Sequence, residues 1–156
     1  MIKVLLVCLG NICRSPMAEY ILKDMVKKQG LEEQFYIESA ATSEGEIGNP
    51  MHTGTKNKLQ QKNIPCGNHR ARKITKQDYK KFDYIIGMEE QNVIHIKKIV
   101  GKDEENKIYQ LMDFSNQPRN IADPWYTRNF DKTYEDIVEG LEGFMEYLKK
   151  EKKIDR

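Results

Sequence analysis

At 156 residues, with 38% apolar and 32% charged side chains and a net charge of +2, the chain has the composition of a single soluble domain, 1–156, that can bury a core without disulfide staples. The balance excludes a disordered or fibrous chain, and a charge this close to zero gives no footprint for nucleic acid, so none is expected as a partner. An odd count of three cysteines argues against a secreted disulfide framework, and the apolar run at 4–9 is far too short for a membrane span or a signal core. The expected setting is the cytoplasm, with no membrane partner, although the sequence leaves export open.

In chain order, residues 2–8 read as a continuous apolar strand, rich in Val and Leu, of the kind buried on both faces. Ser15 and Pro16 then read as an N-cap followed by proline at the first helical position. The helix is expected to run to about residue 28, with Met17, Ile21 and Met25 on one stripe and Gly30 as its stop. A short strand is expected at 35–37, a loop at 43–50 and a weaker helix at 53–62. Residues 82–87 read as a third, buried strand, 89–99 as a helix, 107–111 as a fourth strand and 113–124 as a polar loop. The last helix, 131–150, has the strongest pattern. Tyr134, Ile137, Val138, Leu141, Phe144, Met145 and Leu148 fall on one face, with acids in the first turn and lysines in the last. Strands alternating with helices predict an α/β fold with a parallel sheet, whose ligands bind beyond the carboxyl ends of the strands.

The stretch Cys8-Leu9-Gly10-Asn11-Ile12-Cys13-Arg14-Ser15-Pro16 lies at such an end. A strand–loop–helix connection turns successive backbone N–H groups into one concavity and aims a helix N-terminus at it, which makes an anion site. Gly10 is expected to ease a tight turn, and Asn11 tolerates the left-handed conformation better than most residues. Arg14 adds a planar fork that matches two phosphate oxygens. A cysteine at the base of this positive bowl is expected to hold its thiolate and act as a nucleophile. Cysteine and arginine at this spacing also recur by chance, with Cys8 as an ordinary buried thiol; the strand, the helix start and the Gly-Asn between them raise the reading above that. Cys8, Cys13 and Cys66 form no zinc-ligand spacing, so neither metal nor cofactor is expected.

This loop, with Asp123-Pro124-Trp125-Tyr126 far downstream, resembles the low-molecular-weight protein tyrosine phosphatases. The resemblance extends through Glu38-Ser39-Ala40-Ala41-Thr42, His69 to Thr75 and Phe82 to Asn92, nearly the whole chain. It implies a four-stranded parallel sheet flanked by helices, with the phosphate loop between the first strand and the first helix. It also implies hydrolysis of phosphotyrosine in proteins through a phosphocysteine. On that reading Cys8 is the nucleophile, Arg14 clamps the phosphate, and Asp123 is the general acid and base. Backbone amides of Leu9, Gly10, Asn11, Ile12, Cys13 and Ser15 bind the phosphate or other oxyanions, and the Ser15 hydroxyl bonds the thiolate. Asn11 holds the loop through a network with Ser39 and His69. Trp125 and Tyr126 wall the substrate ring and Ile12 packs on it, the alternative for the two aromatics being core filling. Cys13 is expected to form a reversible, protective bridge with an oxidised Cys8, the alternative being that it only fills space under the helix.

Two positions depart from the family pattern: Gly45 stands where many relatives carry an aromatic of the opposite wall, and Glu89 where they usually carry Asp. Three other activities stay open at this point. Relatives that hydrolyse phosphoarginine tend to carry threonine where this chain has Leu9 and Ile12. Arsenate reductases of related fold need a further cysteine pair, and only Cys66 remains here. A noncatalytic phosphate-binding module or phosphocarrier would have no use for Asp123.

Overall fold

A computed structural model describes residues 1–154. Its sheet has four parallel strands in the order β2-β1-β3-β4. Central strand β1 (Ile2–Cys8) pairs with β2 (Phe35–Ala41) from Ile2 opposite Phe35 to Cys8 opposite Ala41, and on its other side with β3 (Tyr84–Gly87). Strand β4 (Ile108–Gln110) closes the far edge against β3. The chain leaves β1 toward β2 on one side and returns to build β3 on the other, so the crevice beyond Cys8 is the switch point of the sheet.

Period-two alternation along β1 explains why the strand is apolar throughout. Val4, Leu6 and Cys8 face one hydrophobic cluster, while Leu5 and Val7 face another. The first and larger cluster is closed by α1 (Arg14–Lys28), α2 (Thr53–Gln61) and α6 (Phe130–Lys150), through Met17, Leu22, Leu59, Ile137, Leu141 and Phe144. On the opposite face α3 (Lys76–Lys81) and α4 (Glu90–Val100) cover Leu5, Val7, Phe82 and Ile85. Cys8 is thus aimed toward α1 and α6.

Several boundaries differ from the sequence expectation, each for a physical reason. Helix α1 begins at Arg14 with Cys13 as its cap residue, so Ser15 lies inside the first turn; its hydroxyl is taken by Cys8 and Asn11 rather than by the helix's own amides. Gly10 is not at positive φ; the left-handed residue of the turn is Asn11, at φ 60°. Strand β2 runs on to Ala41, since pairing along the full length of β1 supplies a ladder that Ser39 and two alanines would not favour alone. Helix α3 is unheralded by any apolar period and is started by a capping box of Thr75 and Asp78. A 3-10 turn at Leu111–Phe114 takes Leu111 from the end of the expected fourth strand and runs into the expected loop, and the short helix α5 (Pro124–Thr127) starts at that loop's end, capped by Asp123.

Helix α6 lies against that 3-10 turn with almost no gap. A Cβ built on Gly143 would stand 2.1 Å from the carbonyl oxygen of Phe114, and one on Gly140 2.6 Å from Leu111. Farther along, Arg119 reaches Asp136 at 2.8 Å and Glu139 at 3.0 Å on α6. The Ile121 amide donates to the Met88 carbonyl at 3.0 Å, and together these ties fix the approach to Asp123.

Candidate active site

Between β1 and α1 the chain curls around the Cys8 sulfur. Among the described residues no side chain caps α1, so its first-turn amides stay available to a ligand at its N-terminus. The Asn11 amide donates to Cys8 Sγ at 3.3 Å and Ser15 Oγ lies 3.0 Å from it. Ser15 Oγ accepts from Asn11 Nδ2 at 2.8 Å, which leaves its own proton for the sulfur. Two donors therefore converge on the Cys8 sulfur.

Asn11 is fully buried and its amide is completely used. Nδ2 donates to Ser15 and, at 2.9 Å, to Ser39; Oδ1 accepts from the Arg72 backbone amide at 3.1 Å. The Ser39 hydroxyl donates to Glu19 Oε1 at 2.5 Å. His69 Nε2 lies 2.7 Å from the Asn11 carbonyl, an acceptor, so that nitrogen carries the hydrogen. The His52 amide holds the Ile12 carbonyl at 2.9 Å. These bonds hold Asn11 in a conformation that costs an L-residue about 1 kcal/mol or more.

Arg14 is only 2% exposed. Nη1 donates to Glu89 and, at 2.8 Å, to the Ile121 carbonyl, while Nη2 makes a long 3.4 Å contact with Asp123. Nε has no partner among the described residues. Burial works against the guanidinium charge, but Cys8, Asp123 and Glu89 outweigh it and hold its pKa above the ordinary value. Glu89 thus aims and neutralises one edge of the fork, leaving the Nε edge for another anion.

Cys8 and Arg14 line a cavity of about 230 Å³, with Leu9, Gly10, Ile12 and Cys13 from the loop and Asp123, Trp125 and Tyr126 from the opposite lip. Asp123 turns one oxygen to the Trp125 amide at 3.0 Å and the other toward Arg14. Trp125 and Tyr126 are 45% and 74% exposed, so neither fills the core; the Trp125 ring meets His52 edge-on at 5.6 Å. Gly45, Glu46 and Ser43 make the facing rim, and a Cβ on Gly45 would touch nothing within 4 Å. Asn11, Ser15, Ser39 and His69 do not line the cavity; they stand behind it. Burial first, then the nearby Cys8 and Asp123 charges, push the Cys13 thiol up to about 12.

Sequence reasoning missed Glu19 and the part played by Arg72. Glu19 is one of 24 acidic residues and carries no local mark beyond facing Ser15 one helical turn away. Arg72 stands among other basic residues at 69–73 with nothing to set it apart, yet its guanidinium is paired to Asp78 at 2.9 Å and its backbone amide donates to Asn11.

The chain belongs to the low molecular weight phosphotyrosine protein phosphatase family, whose model matches residues 3–154. It is therefore a protein-tyrosine phosphatase by family. It is 39% identical over 156 residues, 99% of this chain and 100% of the other, to the low molecular weight protein-tyrosine-phosphatase YfkJ of Bacillus subtilis. The crystal structure of YfkJ superposes with a TM-score of 0.93 over 97% of each chain. A low molecular weight protein tyrosine phosphatase from Streptococcus pyogenes is 40% identical, with a TM-score of 0.86 over 95% of this chain and 93% of that one.

Proposed function

We propose that the protein hydrolyses phosphotyrosine in proteins by two displacements at phosphorus. The Cys8 thiolate attacks the phosphate held by the loop amides and the Arg14 Nε edge. The bond to the tyrosyl oxygen breaks as Asp123 gives that oxygen its proton, leaving phosphocysteine and free tyrosine. Asp123, now ionised, takes a proton from water; the water oxygen attacks phosphorus and expels the Cys8 thiolate and inorganic phosphate. The observation that carries the reading is the buried, unpartnered Nε of Arg14 in a cavity floored by a doubly hydrogen-bonded Cys8 sulfur.

Apolar Leu9 and Ile12 at the cavity favour a phenyl ring over the guanidinium of phosphoarginine. The site is read as part of one domain acting in the cytoplasm; among the described residues no helix is long and apolar enough to cross a membrane. Cys13, beside Cys8 in the same cavity, is read as the resolving thiol. An oxidant such as peroxide converts the Cys8 thiolate to sulfenic acid; Cys13 sulfur then attacks it, forming the disulfide and releasing water. Because burial keeps Cys13 protonated, that second step is expected to be slow near neutral pH and to quicken in alkali.

The test is aryl phosphate turnover beside a vanadate-binding titration. Cys8→Ser is expected to abolish turnover and retain measurable oxyanion binding, since the bowl is built from amides and Arg14. Turnover near wild type in that variant would remove Cys8 as nucleophile.

A further inference from the structure

A second depression, of about 260 Å³, adjoins the catalytic cavity, and Leu9 and Ser43 line both. Its other walls come from Thr42 at the end of β2, Lys73 before α3, and His95, Lys98 and Ile99 on α4; among the described residues no acidic side chain lines it. Glu44, outside the lining and well exposed, holds the Lys73 ammonium at 3.0 Å. Lys98 has no ion pair among the described residues, so its charge is uncompensated there. His95 Nε2 meets the Gln91 side chain at 3.2 Å. Thr42 is 7% exposed, and its hydroxyl has no hydrogen-bond partner among the described residues. Much of the lining is apolar, and the charged side chains in it are cationic, so an anionic group that reaches its rim meets the Lys98 ammonium with no carboxylate paired to it.

We infer that this depression receives an anionic group of the substrate polypeptide, a carboxylate or a second phosphate, carried a short way along the chain from the phosphotyrosine. The inference rests on the phosphotyrosine reading above and adds a determinant of substrate choice to it. Leu9, 39% exposed, forms the ridge between the two cavities. A peptide that places its tyrosyl phosphate on Cys8 and runs over Leu9 brings a neighbouring side chain to Lys98. Attraction between exposed charges is modest and screened by salt, so the effect belongs to the choice among peptides and leaves the chemistry on the aryl phosphate untouched.

The experiment compares phosphotyrosine peptides in which one glutamine, glutamate or phosphoserine is walked through the positions flanking the phosphotyrosine. kcat/KM is measured at low and high salt for wild type and Lys98→Gln, with a small aryl phosphate as reference. Wild type is expected to favour an acidic flank at one or two positions by about three- to five-fold at low salt. Lys98→Gln is expected to lose most of that preference with aryl phosphate turnover unchanged, and the glutamate and phosphoserine series show which anion fits. Equal use of all peptides, or a preference that survives Lys98→Gln, overturns the subsite while leaving the catalytic reading intact. Failure of wild type to turn over the aryl phosphate overturns both.

Discussion

Around Asn11, every polar atom of one side chain is spent on keeping the loop curled: Ser15, Ser39 and Arg72 take its amide, and His69 takes its carbonyl. Asn11→Ala removes the bonds to Ser15, Ser39 and the Arg72 amide and leaves these buried partners unsatisfied at a left-handed position, so a stability loss of about 2–4 kcal/mol is expected in denaturant unfolding. Turnover should fall further than stability alone requires, because Ser15 loses the donor that orients its proton toward Cys8; a variant with wild-type kcat would show that the network only supports the fold. For Asp123→Ala, pre-steady-state release of a phenyl-type leaving group is expected to slow by about 10²–10⁴. A nitrophenyl-type group should slow much less, since its anion departs unprotonated; equal losses would make Asp123 a positioning residue instead. The cysteine, the arginine and the loop between them are legible in the sequence because their chemistry is compressed into nine consecutive residues. Glu19 and Arg72 are not, because each acts through a neighbour that only the folded chain supplies.

At the scale of elements, the strands and long helices follow from pattern: β1 from an unbroken apolar run, α6 from a single apolar face. The end of β2 and all of α3 do not, since one is fixed by its pairing with β1 and the other by a capping box on a run of lysines. The close crossing of α6 over the Leu111–Phe114 turn was equally hidden, resting on two glycines in an otherwise ordinary helix. Gly143→Ala tests it. Alanine favours a helix by about 1 kcal/mol, but here its methyl would meet the Phe114 carbonyl, so a net loss of about 1–3 kcal/mol is expected. Thermal unfolding of the variant decides: a raised melting temperature would mean that the turn moves aside freely. If the turn also positions Asp123 through Arg119 and Ile121, kcat should fall with stability.

Across the whole molecule, burial holds several acids in their protonated forms. Desolvation pushes Tyr84 and Tyr109, like Cys13, up to about 12. In the unfolded chain a cysteine ionises near about 8.5 and a tyrosine near about 10. Above those values the folded protein binds more protons than the unfolded one, so stability falls as pH rises from there toward about 12. Their contribution is complete below about 8.5. Denaturant unfolding across the alkaline range is expected to show that decline, with Cys13→Ser flattening its early part; a profile level to pH 11 would contradict the burial of these groups.

The central claim, that phosphate passes through Cys8, is tested most directly by trapping it there. Asp123→Ala mixed with nitrophenyl phosphate still forms the phosphoenzyme but lacks the base that activates water, so the intermediate should accumulate. Rapid acid quench followed by peptide mass spectrometry is predicted to find one phosphate on the peptide that holds Cys8, localised to Cys8 rather than Cys13, and none in Asp123→Ala carrying Cys8→Ser. Release of nitrophenol with no phosphate on Cys8 at any quench time, or phosphate on another residue, would contradict the account.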